Sequence, residues 1–316
     1  MDNITINILS KCNAKCGHCC FSCSPNSTDK LEEEEIWNIL NYAIANDEIK
    51  EIALTGGEIF LKEKLVCDII KKVSAAGKVV TCISNGFWGR TPEKAKQKLE
   101  KFCALGLRHL SLSYDDFHAK YVKIECIENI LNAAVQLPIQ IKLNMTVTKE
   151  NDGIWILDRL KNSLLGVAIT RFSAAPVGEA KNIPEKHLYH KLNSNLTMKC
   201  SEPNSGLVIN HDGYVLPCCS PLVIESFLKI GNIRNDDIAN LEKKMYSNVL
   251  MYIIKKEGLN WFVEKLEKRG IFSFSDKWYT SSCELCRDLF INDEVVKILY
   301  EDIRQYHEEY LSKIRK

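Results

Sequence analysis

The pattern of apolar and polar positions repeats in a regular way along the first 175 residues. Six short runs alternate in polarity or are mostly apolar, which predicts strands at 4–9, 49–56, 78–86, 109–115, 139–147 and 167–176. Five longer runs repeat apolar residues every three or four positions, which predicts helices at 30–46, 62–77, 91–106, 123–137 and 154–164. Strands that alternate with helices predict an α/β fold with a parallel sheet. Six units are too few for a closed eight-stranded barrel, so a partial open barrel or a doubly wound sheet is expected.

The alternation stops after about residue 180. Residues 206–219 predict a hairpin that turns at Asp212-Gly213, because this dipeptide is typical of tight hairpin turns. Residues 236–269 and 288–315 have helical patterns, and residues 267–286 between them are predicted as a loop. We therefore predict two domains, residues 1–180 and 181–316, of which the second is the smaller.

Polar stretches with candidate chemistry follow the first four predicted strands. They are the cysteine-rich loop from residue 10, TGGE, SNGFWG and SYDDFH. The carboxyl ends of parallel strands lie at the same edge of a sheet or barrel, where binding sites form in α/β proteins. The four stretches are therefore expected to contribute to a single site.

Composition and charge narrow the range of partners. The chain has 316 residues and a net charge of +1, so no dedicated binding to nucleic acid is expected. No apolar run approaches the roughly 20 residues that span a bilayer, and the opening MDNITINILS lacks the features of a signal peptide. We expect a cytoplasmic protein that binds neither nucleic acid nor membrane.

Fourteen cysteines are many for a protein of a reducing compartment, where disulfides are rare. Clustered cysteines then indicate metal binding or catalysis. Three clusters occur: Cys12, Cys16, Cys19, Cys20 and Cys23; Cys200, Cys218 and Cys219; and Cys283 and Cys286. The four single cysteines, Cys67, Cys82, Cys103 and Cys126, lie in apolar segments and are predicted to be buried hydrophobic residues.

The spacing C-x3-C-x2-C of Cys12, Cys16 and Cys19 supplies three thiolates from one short loop. Three thiolates on a cubane iron–sulfur cluster leave one iron open for a substrate or cofactor. The alternative is a closed zinc site, in which Cys16 and Cys19 pair with Cys283 and Cys286. A zinc-stabilised binding protein is accordingly an alternative class of function.

The stretch CNAKCGHC resembles the signature of the radical S-adenosylmethionine (SAM) superfamily, with His18 before the last cysteine. LTGGEIF, ISNG, SLSYD and RFSAAPVGEA resemble the motifs that follow the strands in that superfamily, so the resemblance covers residues 5–180 in order. It implies a partial (β/α)6 barrel in which Cys12, Cys16 and Cys19 hold a [4Fe–4S] cluster. SAM would bind its fourth iron and be cleaved to a 5′-deoxyadenosyl radical. The resemblance implies SAM contacts from Gly56, Gly57, Glu58, Ser84, Asn85, Ser113 and Asn144.

The C-terminal cysteines resemble the auxiliary iron–sulfur domains of peptide-modifying radical SAM enzymes. The similarity lies in CSEPNSGLVINHDGYVLPCCS followed by CELC. It implies a smaller C-terminal domain with helices and a second [4Fe–4S] cluster. The implied ligands are Cys200, Cys218, Cys283 and Cys286.

A closer resemblance, carried by TGGEIFL, ISNGFWG, SYDDFHAKYVK, LNMTVTK and HDGYVLPCCSP, is to the radical SAM epipeptide epimerases. It implies conversion of L- to D-residues in a ribosomally made precursor peptide, with an electron donor of the flavodoxin or ferredoxin type. Cys219 would return the hydrogen atom, and a partly buried site would keep its thiol protonated. The alternative reaction is a thioether or other crosslink in such a peptide. Cys20 and Cys23 are interpreted as neighbours of the cluster ligands or as incidental.

The resemblance departs from the family pattern at one point. The family has an aspartate in the strand before the Asp-Gly turn, whereas EPNSGLVIN has none. Candidates to seat the substrate in its place are Asn204, Ser205, Asn210, Asp115 and Asp116. The peptide itself is not predicted.

Overall fold

The structure is a computed structural model, and it describes residues 2–190, 192–193, 200, 206–271 and 277–314. The chain forms two compact units. Unit 1 contains Met1–Tyr189 and Val208–Gly213, and unit 2 contains His190–Leu207 and Tyr214–Lys316. The sequence-based division lies nearby, at residue 180, but it does not include the return of residues 208–213 to unit 1.

Unit 1 is built on six parallel strands in chain order. The strands are β1 (Asn3–Asn7), β2 (Glu51–Thr55), β3 (Val79–Ser84), β4 (His109–Ser113), β5 (Gln140–Val147) and β6 (Ala168–Ser173). The helices are α1 (Glu33–Ala45), α2 (Glu63–Ala75), α3 (Pro92–Ala104), α4 (Ile124–Ala134) and α5 (Ile154–Leu160). All predicted strands and helices of this region are confirmed, and so is the prediction of a six-stranded parallel α/β fold.

The two faces of this sheet differ in polarity. Alternate residues such as Ile4, Leu54 and Leu112 are completely buried. The opposite face carries small polar residues that are buried or half-buried: Thr5, Thr55, Thr81, Ser111, Ser113, Asn144 and Thr146. Because side chains alternate along a strand, the sequence thus gives the sheet one apolar and one polar face.

The carboxyl ends of the strands carry the four stretches that the sequence singles out. The cysteine loop follows β1, the TGGE turn ends β2, and Ser84 and Ser113 end β3 and β4. Hydrogen bonds join the cysteine loop to TGGE and TGGE to the end of β3. These stretches lie at one edge of the sheet, as predicted.

Unit 2 contains short strands and six helices among its described residues. The strands are β7 (Leu192–Asn193), β8 (Gly206–Ile209), whose last two residues belong to unit 1, β9 (Tyr214–Leu216), β10 (Gly231–Asn232) and β11 (Trp278–Tyr279). The helices are α6 (Ile238–Tyr246), α7 (Val249–Lys256), α8 (Asn260–Lys268), α9 (Ser282–Leu289), α10 (Glu294–Ile298) and α11 (Tyr300–Ile314). The helical patterns at 236–269 and 288–315 are confirmed.

The predicted loop at 267–286 is wrong at its end, because α9 begins at Ser282. Cys283 and Cys286 therefore lie three residues apart on one helix, a spacing that brings side chains to the same face. The turn after β8 is formed as predicted: the Gly213 N–H donates to the Asn210 carbonyl at 2.8 Å, and Gly213 has φ of 84°. Among the residues described, no helix combines the length and the apolar character needed to cross a bilayer.

Candidate functional site

The three cysteines predicted to bind the first cluster lie together in the loop after β1. Cys12 and Cys16 are buried with Cys23 and Phe117 in one group of side chains, and Cys19 packs against this group. Main-chain and side-chain N–H groups point at two of the sulfurs. The Ala14 N–H donates to Cys12 Sγ at 3.4 Å, and the Cys23 N–H donates to Cys19 Sγ at 3.3 Å.

The electrostatics of this loop fit a metal-bound state of the three thiols. Burial, the largest effect, raises the pKa of Cys12 to about 11 and also raises that of Cys16. The hydrogen bond from the Cys23 thiol, the largest effect on Cys19, lowers its pKa to about 6. A thiol that coordinates a metal is deprotonated, and the metal offsets the cost of burying its charge. Three neighbouring thiols, with N–H donors aimed at the sulfurs of Cys12 and Cys19, are a donor set suited to an iron–sulfur cluster.

The TGGE turn is in direct contact with the main chain of the cysteine loop. The N–H groups of Gly57 and Glu58 donate to the carbonyls of Leu9 and Lys11 at 2.6 and 3.0 Å. A Cβ atom on Gly57 would lie 2.2 Å from the Lys11 carbonyl oxygen, a distance that no side chain tolerates. The absence of a side chain at Gly57 therefore lets the cysteine loop lie on the end of β2.

Glu58 is completely buried and organises the end of β3. Its carboxylate accepts hydrogen bonds from the N–H of Asn85 at 2.8 Å, the N–H of Phe60 at 3.0 Å and the hydroxyl of Ser84. Burial raises the pKa of Glu58 to about 7, although these hydrogen bonds act in the opposite direction.

The side chains of Ser84 and Asn85 also have partners within unit 1. The Ser84 hydroxyl donates to Glu58 and accepts from Trp88 Nε1 and the Gly86 N–H, which uses its one donor and both acceptor positions. The Asn85 side-chain amide donates to Asn13 Oδ1 at 2.9 Å and lies 3.8 Å from Cys12 Sγ. Ser84 and Asn85, both predicted to contact SAM, are thus hydrogen-bonded to Glu58, and Asn85 is also hydrogen-bonded to the cysteine loop.

Ser113 and Asn144 lie apart from this hydrogen-bonded network, on the polar face of the sheet. They are neighbours across β4 and β5, and both are half-buried. The Asn144 amide donates to Ser111 Oγ at 2.6 Å.

Asp115 joins the cysteine loop to β4 and β5. Its carboxylate, with a side chain 1% exposed, contacts His18 Nε2 at 3.1 Å and His118 Nδ1 at 2.9 Å. It also accepts main-chain N–H bonds from Phe117, His118 and Thr146. Burial alone would raise the pKa of Asp115, but the two histidines hold it well below its usual range. Burial alone would lower the pKa of His18, but the hydrogen bond and charge of Asp115 raise it.

These three side chains also bring possible metal ligands to within 4.8 Å of one another. Three main-chain N–H groups already occupy Asp115, and each imidazole lies at hydrogen-bonding distance from it. We therefore interpret the group as a buried, hydrogen-bonded ion pair.

The described candidates for seating a substrate already have partners within unit 1. Asp115 binds the two histidines, and Asp116 accepts from the Gly153 N–H at 2.9 Å and Trp155 Nε1 at 2.6 Å. The Asn210 side chain accepts a hydrogen bond from the Asn7 amide and donates one to the Asp212 carboxylate. Asn204 and Ser205 lie outside the described residues.

Gly178 is a residue of the site that the sequence reasoning missed. It has φ of 58°, and a Cβ atom there would lie 2.4 Å from the carbonyl oxygen of Cys19. The N–H of Glu179 donates to the same oxygen at 2.9 Å. The segment after β6 thus supports the third cysteine, and the Gly-Glu pair in VGEA is the signal that could have indicated a close backbone approach.

Unit 2 brings four cysteines to one cavity. Cys200, Cys218, Cys283 and Cys286 line it, together with Ser220 and with apolar residues that include Val223, Met251 and Ile254. Burial, with a smaller effect from the neighbouring thiols, raises the pKa of Cys218 to about 12 and that of Cys286 well above its usual value. Four thiols around one apolar cavity fit a closed iron–sulfur cluster.

Five further cysteines differ in their exposure to solvent. Cys219 does not line this cavity, and its side chain is exposed, so the expectation that it is partly buried is wrong. Neighbouring side chains point in different directions, which explains why Cys218 faces the cavity and Cys219 does not. Cys67, Cys82, Cys103 and Cys126 are buried, as predicted.

Family profiles match both parts of the chain. The profile described as radical SAM superfamily matches residues 6–153. The SPASM profile, described as an iron-sulfur cluster-binding domain, matches residues 200–287.

Curated relatives match over different lengths. The chain is 36% identical over 312 residues to "Putative peptide biosynthesis protein YydG" of Bacillus subtilis (strain 168), and the matched region covers 97% of each chain. It is 30% identical over 172 residues to GTP 3′,8-cyclase of Helicobacter pylori (strain HPAG1), and this match covers 51% of each chain.

Two solved structures share the fold over most of the chain. The first is BtrN in complex with AdoMet and 2-DOIA, with a TM-score of 0.52 and 17% identity, covering 88% of this chain and 94% of that one. The second is anSMEcpe with bound AdoMet and Cp18Cys peptide, with a TM-score of 0.53 and 13% identity, covering 98% and 99%.

Proposed function

We propose that this chain, which belongs to the radical SAM superfamily, inverts residues of a ribosomally made peptide from the L to the D form. Its cofactors are SAM and two [4Fe–4S] clusters, one in the radical SAM domain and one in the SPASM domain. When SAM is bound at the first cluster, its one-electron cleavage supplies a 5′-deoxyadenosyl radical that abstracts a hydrogen atom.

The observation that carries the proposal is the different placement of two adjacent thiols. Cys218 lines the cavity with Cys200, Cys283 and Cys286, and these four thiols are the proposed ligands of the second cluster. Cys219 is exposed outside that cavity. Its exposed position outside the proposed ligand set is where a thiol could act on a bound peptide.

The proposed reaction consists of two hydrogen-atom transfers, one from Cα of the peptide and one back to it. Removal of the hydrogen atom from Cα of a peptide residue leaves a planar carbon radical that the flanking amides stabilise. Cys219 then donates its S–H hydrogen atom to the opposite face, which forms the inverted C–H bond and a sulfur radical. One electron from a flavodoxin- or ferredoxin-type donor and one proton restore the thiol. A second electron from the same donor starts the cleavage of SAM.

The peptide class is supported by the Bacillus subtilis relative, whose name describes peptide biosynthesis. We propose a precursor peptide as the substrate and the cytoplasm as the location, because reduced thiols are needed at both clusters. We assign SAM contacts to Gly56, Gly57, Glu58, Ser84, Asn85, Ser113 and Asn144. Glu58 and Ser84 act mainly by holding Asn85 and the cysteine loop in place.

The test uses a short peptide encoded beside this protein and a mass measurement in D2O. Epimerisation leaves the mass unchanged in H2O and adds one deuterium for each inverted centre in D2O, whereas a crosslink removes two hydrogens. Cys219→Ala should still cleave SAM but form no D-residue, and Cys12→Ala should not cleave SAM. Cys126→Ala, at a buried core cysteine of α4, is the control and should retain both activities. Epimerisation by Cys219→Ala would refute the donor assignment.

A further inference from the structure

β6 is the most exposed of the six parallel strands of unit 1. None of its six residues is buried, whereas each of the other five strands buries at least two. Two large apolar side chains on it, Ile169 and Phe172, are 42% and 46% exposed. The strand is the last in the order of the sheet, so β5 is its one neighbouring strand among the described residues.

The outer edge of β6 presents a row of main-chain groups. The N–H of Ala174, the residue that follows β6, donates to the Val147 carbonyl of β5 at 3.0 Å. The N–H and C=O of one residue point to the same side of a strand, and this side alternates from residue to residue. The main-chain groups of Ile169, Arg171 and Ser173 therefore point away from β5. Within the described ranges no strand pairs with this edge, and no loop hydrogen bond involves the main-chain groups of these three residues.

This edge lacks the features that usually prevent an edge strand from pairing. The strand AITRFS contains no proline and one charged residue, and its register with β5 is continuous, without a bulge. The guanidinium of that charged residue, Arg171, donates to the Asp152 carbonyl at 2.6 Å, so its charge is held by the loop before α5. An unprotected edge of this kind is a template for one further strand.

The end of β6 leads to the cysteine loop and to the polar face of the sheet. The N–H of Glu179, six residues after the end of β6, donates to the Cys19 carbonyl at 2.9 Å. Phe172 lies opposite Thr146 in the register, so it is on the face of the sheet that also carries Asn144, to which we assign a SAM contact. A strand added to this edge would turn every second side chain to that face.

We propose that the outer edge of β6 binds the precursor peptide as an added strand, through the main-chain groups of Ile169, Arg171 and Ser173. A row of N–H and C=O groups at this spacing pairs with an extended polypeptide, and strand addition to an exposed edge is a recurring mode of peptide recognition. The three residues span about 13 Å, which matches a peptide segment of about five residues. The inference rests on the peptide substrate of the proposed function but not on which reaction follows.

A second copy of this chain is the other extended polypeptide that could pair with the edge. Two β6 edges that pair with each other would form a symmetric dimer. The position of the edge beside the polar face favours the peptide, because the substrate has to reach the SAM contacts whereas a second copy does not. The oligomeric state of the variants below separates the two occupants.

The experiment measures the affinity of the SAM-loaded holoenzyme for a labelled synthetic copy of the short peptide encoded beside this protein, by fluorescence anisotropy. Ile169→Pro removes an N–H that faces away from β5 and leaves the bonds between β5 and β6 in place, and proline is tolerated at such edge positions. Ile169→Val is the matched variant that keeps the N–H and a β-branched apolar side chain. Thermal unfolding and iron content of both variants show whether the fold and the clusters are retained.

A second measurement tests the pairing from the side of the peptide. It uses the wild-type protein and a set of peptides, each of which is N-methylated at one residue. In a strand added to β6, every second N–H of the peptide faces β6. N-methylation should therefore weaken binding at every second residue of one segment and have little effect at the residues between them.

We expect Ile169→Pro to bind the peptide at least about tenfold more weakly, because the proline ring takes the place of the donor hydrogen. Its KM should rise more than its kcat falls, and Ile169→Val should bind within about twofold of the wild type. Equal affinities of the wild type and Ile169→Pro would overturn the proposal, and so would N-methylation effects without a period of two residues. If Ile169→Pro converts a dimer to a monomer without a change in peptide affinity, the edge binds a second copy and the proposal fails.

Two further outcomes are decided by the same measurements. Should Ile169→Pro fail to fold, the N-methylation series on the wild-type protein decides between strand pairing and another mode of binding. A mass measurement that shows a crosslink in a peptide bound in this way would refute the epimerase proposal and leave the strand pairing intact.

Discussion

Replacement of Asp115 by Asn tests whether this carboxylate fixes the cysteine loop to the sheet. Asp115 contacts His18 of that loop and His118, and it accepts N–H bonds from Phe117 and Thr146. Asn has nearly the same shape but no charge, and its amide group presents N–H donors to groups that are themselves donors. The substitution therefore removes the ion pair while it leaves the volume unchanged.

The size of the effect follows from burial. The side chain of Asp115 is 1% exposed, and those of His18 and His118 are 11% and 12% exposed, so solvent screens the charges little. Removal of one partner of a buried ion pair costs about 3–5 kcal/mol. For a unit of this size each kcal/mol lowers the melting temperature by roughly 2–4 °C, so a decrease of about 6–20 °C is expected.

The pH dependence has a sign that follows from the two shifted pKa values. The pKa of Asp115 is lowered, so its contribution is complete above its ordinary value of 3.8 and is lost as the pH falls. The pKa of His18 is raised, so its contribution is complete below its ordinary value of 6.5 and is lost as the pH rises. The difference between wild type and Asp115→Asn should be largest between these two values.

The assay compares thermal unfolding and iron content of Asp115→Asn with those of Asp116→Asn. Asp116 is the adjacent aspartate, but it accepts hydrogen bonds from Gly153 and Trp155, and within the described part of the chain neither of these bonds involves the cysteine loop. Asp115→Asn should melt at a lower temperature and lose the first cluster, whereas Asp116→Asn should keep that cluster. A wild-type iron content and melting temperature in Asp115→Asn would refute the reasoning.

Three further predictions concern single residues. Gly57→Ala should lose the first cluster, because the added Cβ would lie 2.2 Å from the Lys11 carbonyl oxygen. Gly77→Ala, whose Cβ would meet open space, should cost about 1 kcal/mol of stability and retain the cluster. Iron analysis of the two variants checks this prediction. Glu58 has its pKa raised to about 7, so its burial opposes folding increasingly as the pH rises from 4.5 through 7, by up to about 3 kcal/mol. Glu58→Gln should therefore show a weaker pH dependence of the melting temperature between about pH 5 and about pH 8 than the wild type. An unchanged pH dependence in Glu58→Gln would contradict this prediction. Cys286→Ala should halve the iron content and keep SAM cleavage, whereas Cys126→Ala should leave both unchanged.

The strands and helices of unit 1 could be predicted because each repeats its own pattern strongly. Completely buried residues at alternate positions of β1 and β2, and the 3.6-residue spacing in α1, leave little choice of element. The error at α9 has a physical reason. Its eight residues SCELCRDL carry two cysteines and three charged residues, so few apolar positions mark the helix, although Leu285 and Leu289 are buried four residues apart.

The partners of the site residues could not be predicted in the same way. Asp115 and His18 are 97 residues apart in the chain, and Glu58 and Asn85 are 27 apart, so their pairing depends on the order of strands in the sheet. The motif C-x3-C-x2-C indicated which thiols are candidates to bind a metal, because three close cysteines have few other uses in a reducing compartment. It contained no information on Cys23, whose contact with Cys19 depends on the unusual backbone at Ser22.

The network around Glu58 also determines how variants of the site are to be interpreted. Glu58 holds the Asn85 N–H at 2.8 Å, and the Asn85 side chain holds Asn13 at 2.9 Å, beside the sulfur of Cys12. A change at Glu58 should therefore reach Cys12, a proposed cluster ligand, through two hydrogen bonds, before any contact with SAM is considered. Ser113 and Asn144 lie on the polar face of the sheet, where the Asn144 side chain donates to Ser111 rather than to a residue of that network. Weaker SAM binding in a Glu58 variant is therefore evidence of a lost SAM contact only if the iron content of that variant is unchanged. Weaker SAM binding in a Ser113 variant is evidence that SAM contacts the polar face of the sheet.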